Sequence, residues 1–337
     1  MNIRENVPIK ELTTMRLGGP ARYLIAVSNP EEVKQAYAFA EEKNLPVFVL
    51  GSGSNIIGRD EGFSGVIILN QIITEIREEK VDDITSIFSA GSGVLLDVFI
   101  AHVSELGFTG MEAMSKVPGT LGAAPVQNVG AYGQDISQVL ESVKVFDKKD
   151  KTTKTLRAEE CNFTYRHSIF NQGEDTGRYF ILEVSVRLKR GSLKPPFYNS
   201  LQAYLDKNNI TDPQPKDIRS AVSTIRAEKL PDVDKVPSAG SFFQNVYLTS
   251  PEDISEAKAK GIPVWDGGKI PGAWLLEKSG VKGKTFYGFE VWEKAPLVLV
   301  NKSADSYDDL EKACDEILKI VQEKFGFKLS QEPVVLK

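Results

Sequence analysis

Histidine is almost absent from the 337-residue chain, which holds only His102 and His167. A metal centre built on several imidazoles is therefore excluded. The two cysteines, Cys161 and Cys314, lie far apart with no CxxC spacing. That argues against a disulfide scaffold and against a zinc site. No GxSxG elbow is present to support a Ser-His-Asp hydrolase. No run approaches the roughly 20 apolar residues that span a bilayer. The opening MNIRENVPIKELTT lacks the apolar stretch of a secretory signal, so the expectation is a cytoplasmic protein with no membrane partner. An excess of positive charge is missing too: the formal net charge is −5, which gives no footprint for nucleic acid. Acid–base chemistry must then rest on Arg, Lys, Glu, Ser or Tyr, or on a bound cofactor.

What is present reads as an ordinary globular chain, 41% hydrophobic and 26% charged, and long enough for two or three domains. EEVKQAYAFAEEKN (31–44) puts Val33, Ala36, Tyr37 and Ala40 on one helical face. LPVFVLG follows as a short strand that runs into GSGSN (51–55), and SGVIILN (64–70) is a second buried strand. A strand at ITSIFSA (84–90) precedes a helix over 94–106, taken through Leu95, Val98, Phe99 and Val103. ESVKVFDKKDKTTKTL (141–156) alternates around a charged turn and predicts a hairpin, and YFILEVSVRLK (179–189) is the strongest strand signal. Residues 190–216 are proline-rich connectors around a short helix. Helices follow at KDIRSAVSTIRAEKLP and about 305–325, with a strand at APLVLVN between them and an extended tail at the end.

Several stretches carry possible chemistry. LGSGSN is not a dinucleotide fingerprint, because Ile56 stands where the third glycine belongs. It is either a tight turn or a phosphate cradle of backbone N–H groups and the hydroxyls of Ser52 and Ser54. VPGTLGAAPVQNVGAYG (117–133) packs four glycines into a long uncharged stretch, so backbone can lie against a large flat ligand. Two such loops in one α/β region imply an extended nucleotide cofactor. In CNFTYRHSIF (161–170), Arg166 is either a surface residue on an edge strand or a bidentate carboxylate holder. In SAGSFFQN (238–245), Ser241 stands before two phenylalanines, as a packing loop or as a poorly hydrated proton donor.

Taken in order, TTMRLGG, LGSGSN, PGTLGAAPVQNVGAYG, YRHSIF, KLPD, AGSFFQN and QEPVV closely resemble the UDP-N-acetylenolpyruvoylglucosamine reductases of bacterial cell-wall synthesis, nearly end to end. KPPFYNSLQAYL makes the chain similar to the longer subtype, in which a tyrosine closes over substrate. The resemblance implies an α+β fold: a two-subdomain FAD-binding α+β module, of the kind also found in PCMH/vanillyl-alcohol-oxidase-like flavoproteins, with a third α+β substrate-binding domain. The boundaries expected are 1–73 with 330–337, 74–229, and 230–329. It also implies tightly bound, non-covalent FAD, NADPH as co-substrate, the enolpyruvyl ether of UDP-N-acetylglucosamine as substrate, and a monomer.

Residue by residue, the resemblance places FAD on Arg16, Gly18, Gly51, Ser52, Gly53, Ser54, Asn55, Pro118, Gly119, Thr120, Gly122, Ala123, Asn128, Gly130, Tyr132 and Gly133. Arg166 matches the arginine that holds the developing enolate, Ser241 the proton donor, and Glu332 a C-terminal glutamate. That glutamate is either protonated or orients Arg166. Tyr165, Tyr198, Lys229 and Asn245 match substrate contacts. Two departures stand out: Gln244 occupies a position where relatives carry lysine, and WEKAP lacks a histidine found there in other members.

Overall fold

The computed structural model describes residues 2–336; residues 1 and 337, at the outer ends of the first expected domain, lie outside it. The chain divides into two compact units. One holds the described residues up to Asn6, with Ala21–Ser52 and Ser64–Glu228. The other holds Val7–Pro20, Gly53–Phe63 and the chain from Lys229 onward.

In the first unit, α1 (Pro30–Glu42) starts where the Asn29 side chain accepts from the Glu32 amide and Pro30 fixes the first turn. Its buried residues Val33, Ala36 and Ala40 follow the expected spacing. Strand Val47–Leu50 then pairs in parallel with Val66–Leu69 of strand Phe63–Asn70. The largest sheet runs in the order Thr152–Arg157, Leu140–Asp147, Tyr179–Arg190, Thr85–Gly91, Arg77–Lys80. Its strand Tyr179–Arg190 is antiparallel to both neighbours. Phe180 and Leu182 join one core with α1, whereas Val184, Val186 and Leu188 join another with Phe99, Ile100 and Val103.

The helix expected over 94–106 forms as α2 (Leu96–Glu105), but its inward face is Leu96, Phe99, Ile100 and Val103. Leu95 and Val98, read as inward, are 52% and 54% exposed. The sequence there is apolar at almost every position, so several faces satisfy a helical period, and i, i+3, i+4, i+7 from Leu96 is the one that packs. α3 (Asn199–Lys207) and α4 (Pro215–Lys229) pack Leu201, Leu205, Ile218, Val222 and Ile225 around Ala113. Arg219 of α4 donates to both oxygens of Asp97 on α2, and Lys116 adds an ion pair at 3.0 Å. Burial pushes the Asp97 carboxyl up, but hydrogen bonds from Arg219 and Lys116 overcome this and hold it below the usual carboxylate range.

The second unit is built on the sheet Ser238–Ser241, Val298–Asn301, Phe289–Val291, Thr285–Phe286. Helices α5 (Pro251–Ala259), α6 (Gly272–Ser279) and α7 (Tyr307–Phe325) complete it. Met15, Leu17 and Ile57 enter the same core as Phe242, Phe289, Leu310 and Ile317, so early segments are structural parts of this late unit. The tail strand Val334–Leu336 lies parallel to Ile56–Gly58. Asp60 ties a further join: its carboxylate accepts from the Tyr307 amide at 2.8 Å, at the positive end of α7.

Candidate active site

The first unit carries the long glycine-rich stretch as a folded loop. The amides of Leu121 and Gly122 donate to the carbonyls of Val94 and Ser92 at 2.7 and 2.8 Å, and the Leu96 amide donates to Gly119. These bonds fix the loop at the start of α2. A Cβ on Gly122 would lie 2.4 Å from Ser92 Cβ, so only glycine allows this approach. The turn after strand Val47–Leu50 meets the same loop. A Cβ on Gly51 would stand 2.9 Å from Thr120 Oγ1. That hydroxyl is buried and has no hydrogen-bond partner among the described residues.

Further along, the Asn128 side chain donates to the Thr164 carbonyl at 3.2 Å and accepts from the Ser137 amide. Tyr132 presents its ring edge-on to Tyr198 with centroids 5.6 Å apart. Tyr198 is half-exposed at the start of α3, next to open solvent. No Cβ obstacle surrounds Gly133. Arg166 lies in the same unit, and its guanidinium sits 5.3 Å from the Tyr165 ring centre. The strand-like reading of 161–170 is corrected here. Thr164 and His167 close a tight turn around Tyr165 and Arg166, and Arg166 has φ 61°. Chain reversal replaces the edge strand, because side-chain hydrogen bonds from Asn128 and Asn171 satisfy the backbone of the turn.

In the second unit, the Thr14 amide donates to Gly53 at 3.2 Å, and the Thr14 hydroxyl donates to Ser238 at 2.6 Å. A Cβ on Gly53 would sit 1.9 Å from the Leu12 carbonyl oxygen. Gly18 is equally constrained, at φ 119° with Gly58 Cα 2.7 Å from where its Cβ would be. The Arg16 guanidinium donates to the carbonyls of Asp234 and Val233, bracing residues 233–234.

Ser241 ends strand Ser238–Ser241. Ser238 pairs with Val300 and Ser241 with Val298, so three steps on one strand face two on the other. Gly240, at φ 70°, takes up the extra residue as a bulge. The following phenylalanines are fully buried and meet each other edge-on at 5.0 Å. They anchor the end of the strand in the core. The amides of Phe242 and Phe243 both donate to the Leu297 carbonyl. On the other side the Glu332 amide donates to Phe242 and the Gln244 amide to Ser330, both at 2.8 Å. The segments that carry Ser241 and Glu332 are therefore backbone-paired neighbours. Two residues beyond Glu332, the Val334 amide donates to Asn55 at 2.9 Å. The Asn245 carboxamide accepts from the Gly272 amide at the start of α6, and the Lys229 carbonyl accepts from Trp292.

A family profile described as an FAD binding domain matches residues 21–156. A second, the C-terminal domain of UDP-N-acetylenolpyruvoylglucosamine reductase, matches residues 231–336. Curated proteins of that name are similar over nearly their full length. That of Thermobifida fusca is 35% identical, covering 98% of this chain and 97% of its own. That of Flavobacterium johnsoniae is 34% identical over 100% of both chains. The chain belongs to the UDP-N-acetylenolpyruvoylglucosamine reductases. The crystal structure of the Thermus caldophilus reductase covers 100% of both chains with a TM-score of 0.69 at 24% identity, which supports the shared α+β fold.

The loops of this family member suit a dinucleotide such as FAD. Neither 51–55 nor 117–133 contains a charged residue that would repel a diphosphate. Both bring backbone close to backbone at glycines, and the unsatisfied Thr120 hydroxyl is a donor awaiting an acceptor. One residue escaped the sequence reading. Burial pulls the Arg226 guanidinium on α4 below its ordinary pKa, and neighbouring Tyr132 and Asp97 offset this only in part. Among the described residues, no cluster of acids, histidines and cysteines forms a metal site, and no helix is long and apolar enough to cross a membrane.

Proposed function

We propose that the chain reduces the enolpyruvyl ether of UDP-N-acetylglucosamine to UDP-N-acetylmuramate. FAD, when bound, supplies the hydride to the terminal vinyl carbon, and NADPH replenishes it. FAD is held non-covalently by Arg16, Gly18, residues 51–55, Pro118 to Ala123, Asn128, Gly130, Tyr132 and Gly133. Arg166 stabilises negative charge that collects on the substrate's enolate and carboxylate. Ser241 delivers the proton to the adjacent carbon. A serine is a weak acid, so it acts only on a base as strong as that enolate, and water regenerates it. Glu332 is either protonated or orients Arg166. Tyr165, Tyr198, Lys229 and Asn245 contact the substrate, with Lys229 on the diphosphate. The domain limits proposed are 1–73 with 330–337, 74–229 and 230–329, in a cytoplasmic monomer.

The observation that supports the catalytic assignment is the backbone pairing of residues 242–244, directly after Ser241, with residues 330–332, which include Glu332. The test separates the two half-reactions without oxygen. The oxidised-flavin spectrum should bleach with NADPH and return with the enolpyruvyl substrate. In Ser241→Ala, bleaching should stay near the native rate while return slows by roughly 10²- to 10⁴-fold. Equal slowing of both steps would make Ser241 structural. A flavin that recovers only with oxygen would make the protein an oxidase on the same fold.

A further inference from the structure

Arg166 sits at the third position of a four-residue turn, with the Thr164 amide donating to His167 at 3.0 Å and the His167 amide donating back at 3.2 Å. Its φ of 61° is left-handed. Third positions with positive φ are usually filled by glycine or asparagine. A bulky residue stays in that region only where its surroundings over-determine it. Three side chains supply that constraint. Asn128 donates to the Thr164 carbonyl at 3.2 Å. The Ser168 hydroxyl donates to Val126 in the glycine-rich loop at 2.6 Å and accepts from the Phe170 amide. Asn171 spans the turn itself: its amide group donates to the Arg166 carbonyl at 3.0 Å, and its oxygen accepts from the Ser168 amide at 2.9 Å.

We propose that Asn171 is a positioning residue for Arg166, gripping its peptide in the left-handed conformation so that the guanidinium is aimed before substrate arrives. The inference rests on the reading of Arg166 as the residue that stabilises the enolate. Both ends of the carboxamide are needed. An aspartate of the same size keeps the acceptor for Ser168 but lacks the N–H donor for Arg166. A side chain that only stabilised the loop would act on the protein whether or not Arg166 were present. A positioning residue acts through Arg166 and has nothing to act on once that side chain is gone.

The experiment uses the FAD-loaded enzyme in anaerobic stopped flow, with Asn171→Ala, Asn171→Asp, Arg166→Ala and the double variant Arg166→Ala/Asn171→Ala. Flavin reduction by NADPH should stay within about twofold of native in both Asn171 variants. Reoxidation by the enolpyruvyl substrate should slow by roughly 10- to 100-fold, the scale of a misplaced catalytic group. In the Arg166→Ala background, removing Asn171 should add less than about a further twofold. Native reoxidation in Asn171→Asp would overturn the clamp, as would an equal loss in both backgrounds. If Arg166→Ala itself reoxidises at the native rate, the clamp falls together with the role given to Arg166. If only Arg166→Ala is slow, the clamp alone falls.

Discussion

Substituting Gly51 by alanine tests whether the two glycine-rich loops form one FAD site. Gly51 is not among the residues with positive φ, so alanine meets no backbone penalty. The conflict is steric: the new Cβ stands 2.9 Å from Thr120 Oγ1 and 3.6 Å from its Cγ2. Carbon–oxygen contact prefers about half an ångström more, and overpacking of this kind costs ~1–3 kcal/mol. The Thr120 hydroxyl has no hydrogen bond to lose, so it turns aside cheaply in the flavin-free protein. If FAD takes up that hydroxyl where it stands, as proposed, its binding would restore the strain. A penalty of about 1–2 kcal/mol weakens FAD roughly 5- to 30-fold. Titration of flavin-free protein with FAD, followed by flavin fluorescence, measures it. Placed in a Thr120→Ala background, Gly51→Ala should cost less than about twofold, because the colliding atoms are gone. Affinity within about twofold of native for Gly51→Ala alone, or an equal loss in both backgrounds, refutes the reasoning.

Two other properties follow from buried groups. Asp147 is fully buried and accepts from Arg178, Lys154 and the Lys149 amide, the Arg178 hydrogen bonds first among the effects that hold its carboxyl well below the usual range. Asp147→Asn should destabilise by about 2 kcal/mol at neutral pH, read by urea unfolding with circular dichroism. This is below the cost of breaking a fully buried pair because both cations reach solvent. A depressed folded pKa stabilises above the unfolded value near 3.9 and loses that contribution as pH falls. The native advantage over the variant should therefore be constant from about pH 7 to 5 and shrink below about pH 4; a constant difference down to pH 2.5 contradicts it. Burial also pushes the thiol of buried Cys161 up to about 12, with nearby acids adding to it. At pH 8 Cys161 of the folded protein should resist maleimide for hours while in the urea-unfolded chain it reacts in minutes, and rapid labelling of Cys161 seen by mass spectrometry would refute its burial.

Much of this architecture was legible in local pattern. α1, α7 and the strand Tyr179–Arg190 follow from periodicity because each has one contrasting face. α2 has little contrast, with Leu95, Leu96, Val98, Phe99 and Ile100 all apolar, so its phase was misread and only packing selects it. The turn at Arg166 was hidden for a different reason. No glycine marks the left-handed position, and the groups that stabilise it, Asn128 and Asn171, come from outside the turn. Nor could a sequence pattern show that residues 7–20 and 53–63 belong with the C-terminal unit. Those joins are made by long-range contacts: Met15, Leu17 and Ile57 in the C-terminal core, the tail strand on Ile56–Gly58, and bonds such as Thr14 to Ser238 and Asp60 to Tyr307.

The stretch SAGSFFQN shows why a packing role and a chemical role need not compete. Side chains alternate along a strand, so a slip of one residue would exchange Ser241 with a phenylalanine. Two consecutive phenylalanines cannot both enter the core of a regular strand. Here pairing ends at Ser241, where the amides of both turn onto the single Leu297 carbonyl and both rings are buried. Gly240 absorbs the extra residue just before, at a φ that other residues rarely adopt. The aromatic pair thus fixes the register, and the glycine sets the direction of the serine. Glu332 is fixed by the same segment from the far side, through Phe242, and by Asn55 through Val334. Half-buried Ser241 and half-buried Glu332 are thereby held in place by backbone bonds, the fixed placement that the proposed chemistry would require of them.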